Sequence, residues 1–210
     1  MDIKNLFSSY YLAPISYYYQ LLQNRVIYQD IHEHFVKQTY RNRCYILSPN
    51  GVQKLSIPLI TVKKQKTIKD IKISYDENWQ KIHWKSFEAA YRSSPYFEFY
   101  EDHFFSFYHE KKPTFLVDIN EQLEQKIIKL LGLSVTVNKT IEYADCKTVT
   151  NDYRTSFSPK KQTLLAFKNY IQVFGDRNEF APNLSILDLL FNEGPNAINY
   201  LNTIEKISKS

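Results

Sequence analysis

Only four glycines occur among 210 residues. A chain so poor in glycine has little material for loops whose backbone N–H groups close on a phosphate. Neither G-x-G-x-x-G nor G-x-x-x-x-G-K-[ST] is present. There are two cysteines, Cys44 and Cys146, in separate segments, which is no disulfide framework; both are expected to be reduced core thiols. The first 22 residues hold no long apolar run, so neither a signal peptide nor a membrane span is expected and the expected compartment is the cytoplasm. Charge of one sign is also scarce. The net +5 is an excess that solubility alone explains, the basic residues are spread out, and no recognised nucleic-acid module appears, so nucleic acid is not an expected partner.

What the chain does have is aromatic side chains, with 17 tyrosines and 14 phenylalanines, and a hydrophobic share of 43% that suits a globular protein. The length suits one sizeable core, so a single domain over 1–210 is expected. The opening reads as β-α-β. "IKNLF" begins a strand, Pro14 starts a helix carrying Ile15, Tyr18, Tyr19 and Leu22 at helical spacing, and "RVIYQDIHEHF" alternates as a second strand. "RCYILS" and "VQKLSIPLI" flank "PNG", with Asn50-Gly51 as the expected turn pair of a hairpin. "TIKDIKIS" alternates as a further short strand. Helices are expected over "NWQKIHWKSFEAAYRSS", over 98–110, and over "DINEQLEQKIIKLLG", the last with Asp118 or Asn120 as its cap and Gly132 as its stop. "LSVTVN" reads as a strand and 139–168 as a polar span without pattern. "PNLSILDLLFNEGPNAINYLNTI" reads as two helices meeting at Gly194-Pro195, with Asn183 as a cap.

Four stretches carry candidate chemistry. In "IHEHFVKQTYRNRCYI", His32 and His34 would share one face of a strand, as two metal-binding imidazoles do. A third ligand would have to come from His83 or Asp152, and no cysteine or second His pair supports it, so no metal is expected. Lys37, Arg41 and Arg43 suit an anion better, since guanidinium forks match carboxylate and phosphate. The plain alternative is a strand edge laced with salt bridges, with Glu33 as a ready partner. In "WQKIHWKSFEAAY", His83 is a candidate acid or base, or else a histidine satisfied by a backbone carbonyl. In "NDYRTSFSPKK", Asp152 and Arg154 are either site residues on a loop or a surface pair. Ser156 and Ser158 lack the G-x-S-x-G setting of a nucleophile. In "PNLSILDLLFNEGP", Leu184, Leu187, Leu190 and Phe191 make a buried stripe, and Asp188 and Asn192 share a face that is read as structural.

Taken in order, "YYLAPISYYYQLL", "KQTYRNRCYI" with "GVQKLSIPL", "ISYDENWQKIHWKSFEAAYRSSPYFEFY", "NDYRTSFSPKK" and "PNLSILDLLFNEGP" resemble the WbqC-like protein family along nearly the whole chain, most closely its short Bacteroidetes-type form. The resemblance implies a bacterial protein of O-antigen or other surface-polysaccharide biosynthesis and transfer of a small acyl or aminoacyl group. Two departures stand out. The longer members open with His-Gln-Pro where this chain has Phe7-Ser8-Ser9, and their glycine-rich C-terminal segment is missing. The expected fold is α/β, a Rossmann-like β-α-β core with an inserted β-hairpin and a helical C-terminal half. The expected function is transferase-like handling of an anionic small molecule, a nucleotide-sugar or acyl donor. His32, His83 and Asp152 would carry protons, and His34, Lys37, Arg41, Arg43 and Arg154 would hold the substrate. The other reading is a non-catalytic accessory protein that keeps the family core. The sequence names no cofactor and leaves the oligomeric state open.

Overall fold

The computed structural model describes residues 3–60, 66–110 and 112–207. The chain opens with β1 (Ile3–Phe7), α1 (Ile15–Leu22) and β2 (Val26–Gln29), the β-α-β unit read from the sequence. A hairpin follows, β3 (Arg43–Ser48) and β4 (Gly51–Ser56), then the helices α2 (Trp79–Tyr91), α3 (Phe97–His109) and α4 (Leu116–Leu131). Short elements complete it: β5 (Thr136–Lys139), β6 (Val149–Asp152), β7 (Leu165–Ala166), α5 (Ile186–Glu193), α6 (Ala197–Asn202) and β8 (Glu205–Lys206). Strands β1, β2, β5 and β6 make one parallel sheet in the order β5-β2-β1-β6. By order of appearance this is third, second, first, fourth, the first half of a doubly wound fold plus the strand that opens the second, and the order reverses between β1 and β6. The fold is thus α/β with a Rossmann-like core, an inserted hairpin and packed helices.

Register fixes what each face of the sheet presents. Leu6, Tyr28, Asn138 and Asp152 share one row; Phe7, Gln29 and Lys139 share the next. The second row turns toward the helices. Phe7 meets Tyr17 of α1 edge-on at 5.6 Å, and the Gln29 amide donates to Glu124 of α4 at 2.9 Å. Beyond the sheet, α2, α3 and α5 bury a second aromatic layer in which Phe191 touches Tyr91, Phe97 and Phe104. The hairpin lies against α2 and is tied to it by the Gln53 amide donating to Ser86 at 3.2 Å.

Several expectations are corrected. β2 stops at Gln29, so His32 and His34 lie in the loop beyond it rather than on a strand. Asp30 ends the strand because its carboxylate turns inward and accepts from the His32 backbone N–H at 3.0 Å. The hairpin turn is Pro49-Asn50; Gly51 already pairs with Ser48, and its φ of +95° suits glycine alone. "TIKDIKIS" is a 3-10 turn at Ile68–Asp70 followed by single bridges from Lys72 to Phe115 and from Ile73 to Leu59. α4 begins at Leu116 with no side-chain cap, ahead of Asp118 and Asn120. Ser185 caps α5, while Asn183 reaches across to accept from the Ser16 N–H of α1 at 2.8 Å. Cys146 is exposed; only Cys44 is a core thiol.

Gly194, at the junction of α5 and α6, has φ +54°, and a Cβ there would lie 2.5 Å from ring carbons of Tyr96. Both the backbone and the ring resist a side chain. Gly194→Ala is expected to destabilise the fold by roughly 2–4 kcal/mol, read as a lower urea midpoint. A variant as stable as the parent would show that the junction relaxes freely.

Candidate functional site

In an open parallel sheet, ligands bind outside the carboxyl ends of the strands, at the point where the order reverses. Here the residues just past those ends are Ser8 after β1, Asp30 after β2, Thr140 after β5, and Tyr153 and Arg154 after β6. Asp30, fully buried, ties two of the others, Thr140 and Arg154, together. It accepts from the Thr140 hydroxyl at 3.2 Å, from Arg154 Nη1 at 2.6 Å and from the Ala144 N–H at 3.4 Å. Arg154 is also held by Asp152, through Nε at 3.0 Å and Nη2 at 2.5 Å. A second buried pair lies beside it. Arg41 Nη2 donates to Glu33 at 2.8 Å, and Ser8 donates to the same carboxylate. The Arg154 carbonyl joins the two groups by accepting from Arg41 at 3.4 Å and from the Tyr10 hydroxyl at 3.0 Å.

This arrangement fills the crevice from within. Side chains of Arg41 and Arg154 are 3% and 6% exposed, and each guanidinium is already matched by carboxylate. Both guanidiniums, expected as substrate-binding forks, are engaged by carboxylates within the fold. Burial pushes the Glu33 carboxyl up, against the pull of Arg41. Burial would do the same to Asp152, but hydrogen bonds and charge from Arg154 outweigh it and hold Asp152 low. The site that usually cradles phosphate at the start of the first helix is closed as well. The Ile15 N–H donates to the Leu184 carbonyl at 2.9 Å, and the Ser16 N–H is taken by Asn183. In Rossmann proteins a carboxylate at the end of the second strand binds the ribose; Asp30 holds that place, and Arg154 occupies it.

The other sequence candidates are dispersed. His83 is buried, with Nδ1 2.8 Å from the Tyr11 hydroxyl, its ring against Trp79 at 5.1 Å and a hydrogen bond to the Ser56 backbone. Burial pulls it down to about 4, so it is neutral at physiological pH, and it lines none of the described clefts. His32 is half-buried beside Asp30, and His34 is exposed, its backbone bridged to Thr67. Lys37 and Arg43 line a shallow cleft of about 320 Å³ at the base of the hairpin, apart from the arginine pairs.

The reversal point still borders a cleft, on the α1 side. It encloses about 220 Å³ among Ser16 and Gln20 of α1, Tyr40, Tyr153, Lys161 and Lys206. Tyr153 stacks on Phe7 at 4.7 Å and accepts from the Gln20 amide at 3.1 Å. Lys206 reaches the cleft because β8 pairs with β7, setting Lys206 opposite Leu165. Ser156, Ser158 and Thr163 add hydroxyls, and among the described residues no Asp, Glu, His or Cys lines the wall. Sequence reading missed Lys161 and Lys206, because only the pairing of two distant two-residue strands brings them together.

Two outcomes test this electrostatic frame. Replacing Arg154 by Met leaves buried Asp30 without its cation, so a loss of roughly 3–5 kcal/mol is expected from urea unfolding, part of it recovered by adding Asp30→Asn. A loss under about 1 kcal/mol would place the pair with ordinary exposed ones. The second concerns Glu124, buried on α4, which accepts from Tyr17 at 2.5 Å and from Gln29 but meets no cation among the described residues. Burial pushes it from 4.5 up to about 7. Between those values the folded chain keeps a proton that the unfolded chain has lost, so its contribution is complete at low pH and falls as pH rises through about 7. Stability is expected to drop on the order of 3 kcal/mol from pH about 4 to pH about 8, and Glu124→Gln should flatten that slope. Equal slopes in parent and variant would remove Glu124 as the cause.

Comparison with known proteins places this geometry in a family. Rv1507c, an uncharacterised protein of Mycobacterium tuberculosis (strain ATCC 25618 / H37Rv), is 27% identical over 205 residues, covering 84% of this chain and 86% of the relative. No solved structure matches the chain. The family model for WbqC-like proteins matches residues 9–163 and 155–200, taking in both arginine pairs, the hairpin and the α5 turn, and the chain belongs to the WbqC-like protein family.

Proposed function

We propose that the chain handles an anionic, hydroxyl-bearing small molecule of bacterial surface-polysaccharide biosynthesis in the cleft between α1 and the end of β6. The observation that carries this reading is the cleft wall: Lys161 and Lys206, hydroxyls and amides, and no carboxylate among the described residues. Lysine ammoniums without an acid nearby favour phosphate or carboxylate, and the tyrosine and serine hydroxyls suit a sugar. At about 220 Å³ the space is below the range of about 300–1,000 Å³ for whole drug-sized ligands. It takes a sugar or phosphoryl end, with the rest of a nucleotide-sugar or acyl donor lying outside. Within this reading Asp152 and Arg154 are positioning residues, because they fix Tyr153 between them. The chain works as one domain in the cytoplasm; no described helix is long and apolar enough to cross a membrane.

Two versions of this role follow. In the transferase version, acyl or aminoacyl transfer to a sugar takes place at this cleft. The accessory version, in which the chain binds the ligand without chemistry, is favoured by one observation: among the described residues the wall offers no histidine or carboxylate as acid or base.

The test is a thermal-shift and calorimetric titration with UDP-N-acetylglucosamine, acetyl-CoA and glycine, using the parent and a Lys161→Gln/Lys206→Gln variant. One donor should raise the parent's melting temperature, as a ligand of the native state does. The variant should lose that rise while melting at the parent's temperature without ligand. No binding by any of the three, or undiminished binding by the variant, would sink the reading. Product formed from a bound donor and a sugar acceptor decides for the transferase; binding without turnover decides for the accessory role.

A further inference from the structure

The cleft at the base of the hairpin is a different kind of place. Lys37 and Arg43 line it together with Gln38, Asn42, Phe35 and Leu59, and no acidic residue is in its wall among the described residues. No ion pair or hydrogen bond engages either cationic side chain among the described residues, in contrast to Arg41 and Arg154, whose charges are fully matched. Asn42, 8% exposed, spends its amide nitrogen on the Ile57 carbonyl at 2.9 Å and leaves Oδ1 without a partner. Arg43 Nε is likewise unpartnered, and so is the hydroxyl of Ser56, its partner across the hairpin. Three of the five buried unpartnered side-chain atoms among the described residues therefore gather at this one corner. Native structures leave few such atoms, and each has a cause. Gln38 adds a second irregularity, with φ +60°, which non-glycine residues seldom adopt and which clusters at ligand clamps.

We propose that Lys37 and Arg43 form a second anion site, separate from the α1–β6 cleft, which takes a carboxylate or phosphate carried on an apolar stem. The guanidinium end of Arg43 grips the two oxygens, Lys37 adds a point charge, and Phe35 and Leu59 cover the stem. The segment between the two clefts sends Tyr40 to one and Lys37, Asn42 and Arg43 to the other, so it walls both. This site does not depend on what the α1–β6 cleft binds.

The probes are hexanoate and n-hexyl phosphate, with inorganic phosphate and hexanol as controls, titrated calorimetrically into the whole chain. At least one amphiphilic anion should bind saturably, with each control about tenfold weaker, the difference expected from losing either half of the contact. Lys37→Gln/Arg43→Gln should weaken it by about tenfold or more, as loss of charged hydrogen bonds does, and Arg43→Lys with Lys37 intact should restore part. Lys161→Gln/Lys206→Gln should leave it unchanged. In the parent, NMR shifts should move at the Asn42 side-chain amide and the Phe35 backbone and not at Tyr153, a readout that survives if the double variant fails to fold. Hexanol binding as well as the anions, affinity indifferent to the Lys37 and Arg43 changes, shifts centred on Tyr153, or no saturable binding would each overturn the site.

Discussion

Two guanidinium groups taken out of water at the carboxyl edge of the sheet are the constraint from which the rest of the architecture follows. Removing one ion from water costs several kcal/mol even after relaxation, and only a well-placed counter-ion offsets it. Arg154 can be buried because Asp30 and Asp152 meet it from two strand ends; Arg41 can be buried because Glu33 meets it from the loop after β2. Arg154 and Asp30 join segments 124 residues apart, and Glu33, close to Arg41 in sequence, also accepts from Ser8 after β1, so the pairs do more than neutralise one another. They set where β6 stops relative to β2, and they hold the 30–41 loop across the top of β1. Three carboxylates face two guanidiniums, and the excess negative charge leaves no attraction for an anion at that spot.

The scarcity of glycine belongs to the same account. A Rossmann-type sheet usually meets its ligand through a glycine loop after the first strand, where backbone N–H groups lie open. Here the residues in that place are Ser8 and Ser9, both buried, and their hydroxyls serve Glu33 and Asn120. The first N–H groups of α1 are occupied by the 183–184 segment. The fold keeps the strand order of a nucleotide-binding half while satisfying its own donors, and what space remains lies beside the reversal point rather than in it.

Much of this scaffold was legible in the sequence. Alternation on both sides of Pro49-Asn50-Gly51 marks the hairpin, and helical spacing in "NWQKIHWKSFEAAYRSS" marks α2. β6 was not legible. "VTND" is polar because it is an edge strand, held by ladder bonds to β1 and by an Asn151–Asn5 side-chain contact at 3.0 Å rather than by an apolar stripe. The candidate site was legible in fragments. Arg41 with Glu33 and Asp152 with Arg154 were visible as pairs by spacing, with nothing to say that they are buried or that Arg154 borders both. Asp30 drew no attention, since one aspartate at the end of an alternating stretch looks like a turn residue until Thr140 and Arg154 are folded onto it. Local pattern reports elements; which charges meet is a property of strand order, and strand order depended on the strand that could not be seen.

The abundance of tyrosine has a related cause. Among the described residues two carboxylates are buried with no cation: Glu124 is met by Tyr17 and Gln29, and Asp188 by Tyr91 at 2.9 Å, Tyr170 at 2.5 Å and Gln172 at 2.8 Å. The buried His83 is handled the same way by Tyr11, which also contacts Tyr108 at 2.8 Å. A tyrosine brings a large apolar surface and one hydroxyl, so it fills a core and satisfies a polar atom in it at once. Neutral donors leave the acid's desolvation less than fully offset, and burial accordingly raises both carboxyls. The charges are thereby sorted. Asp30, Glu33, Glu124 and Asp188 lie inside, against tyrosine or arginine, while Lys37 and Arg43 in one cleft and Lys161 and Lys206 in another have no acid among the described wall residues. Positive charge is thus concentrated at these two clefts although the chain as a whole is only weakly basic.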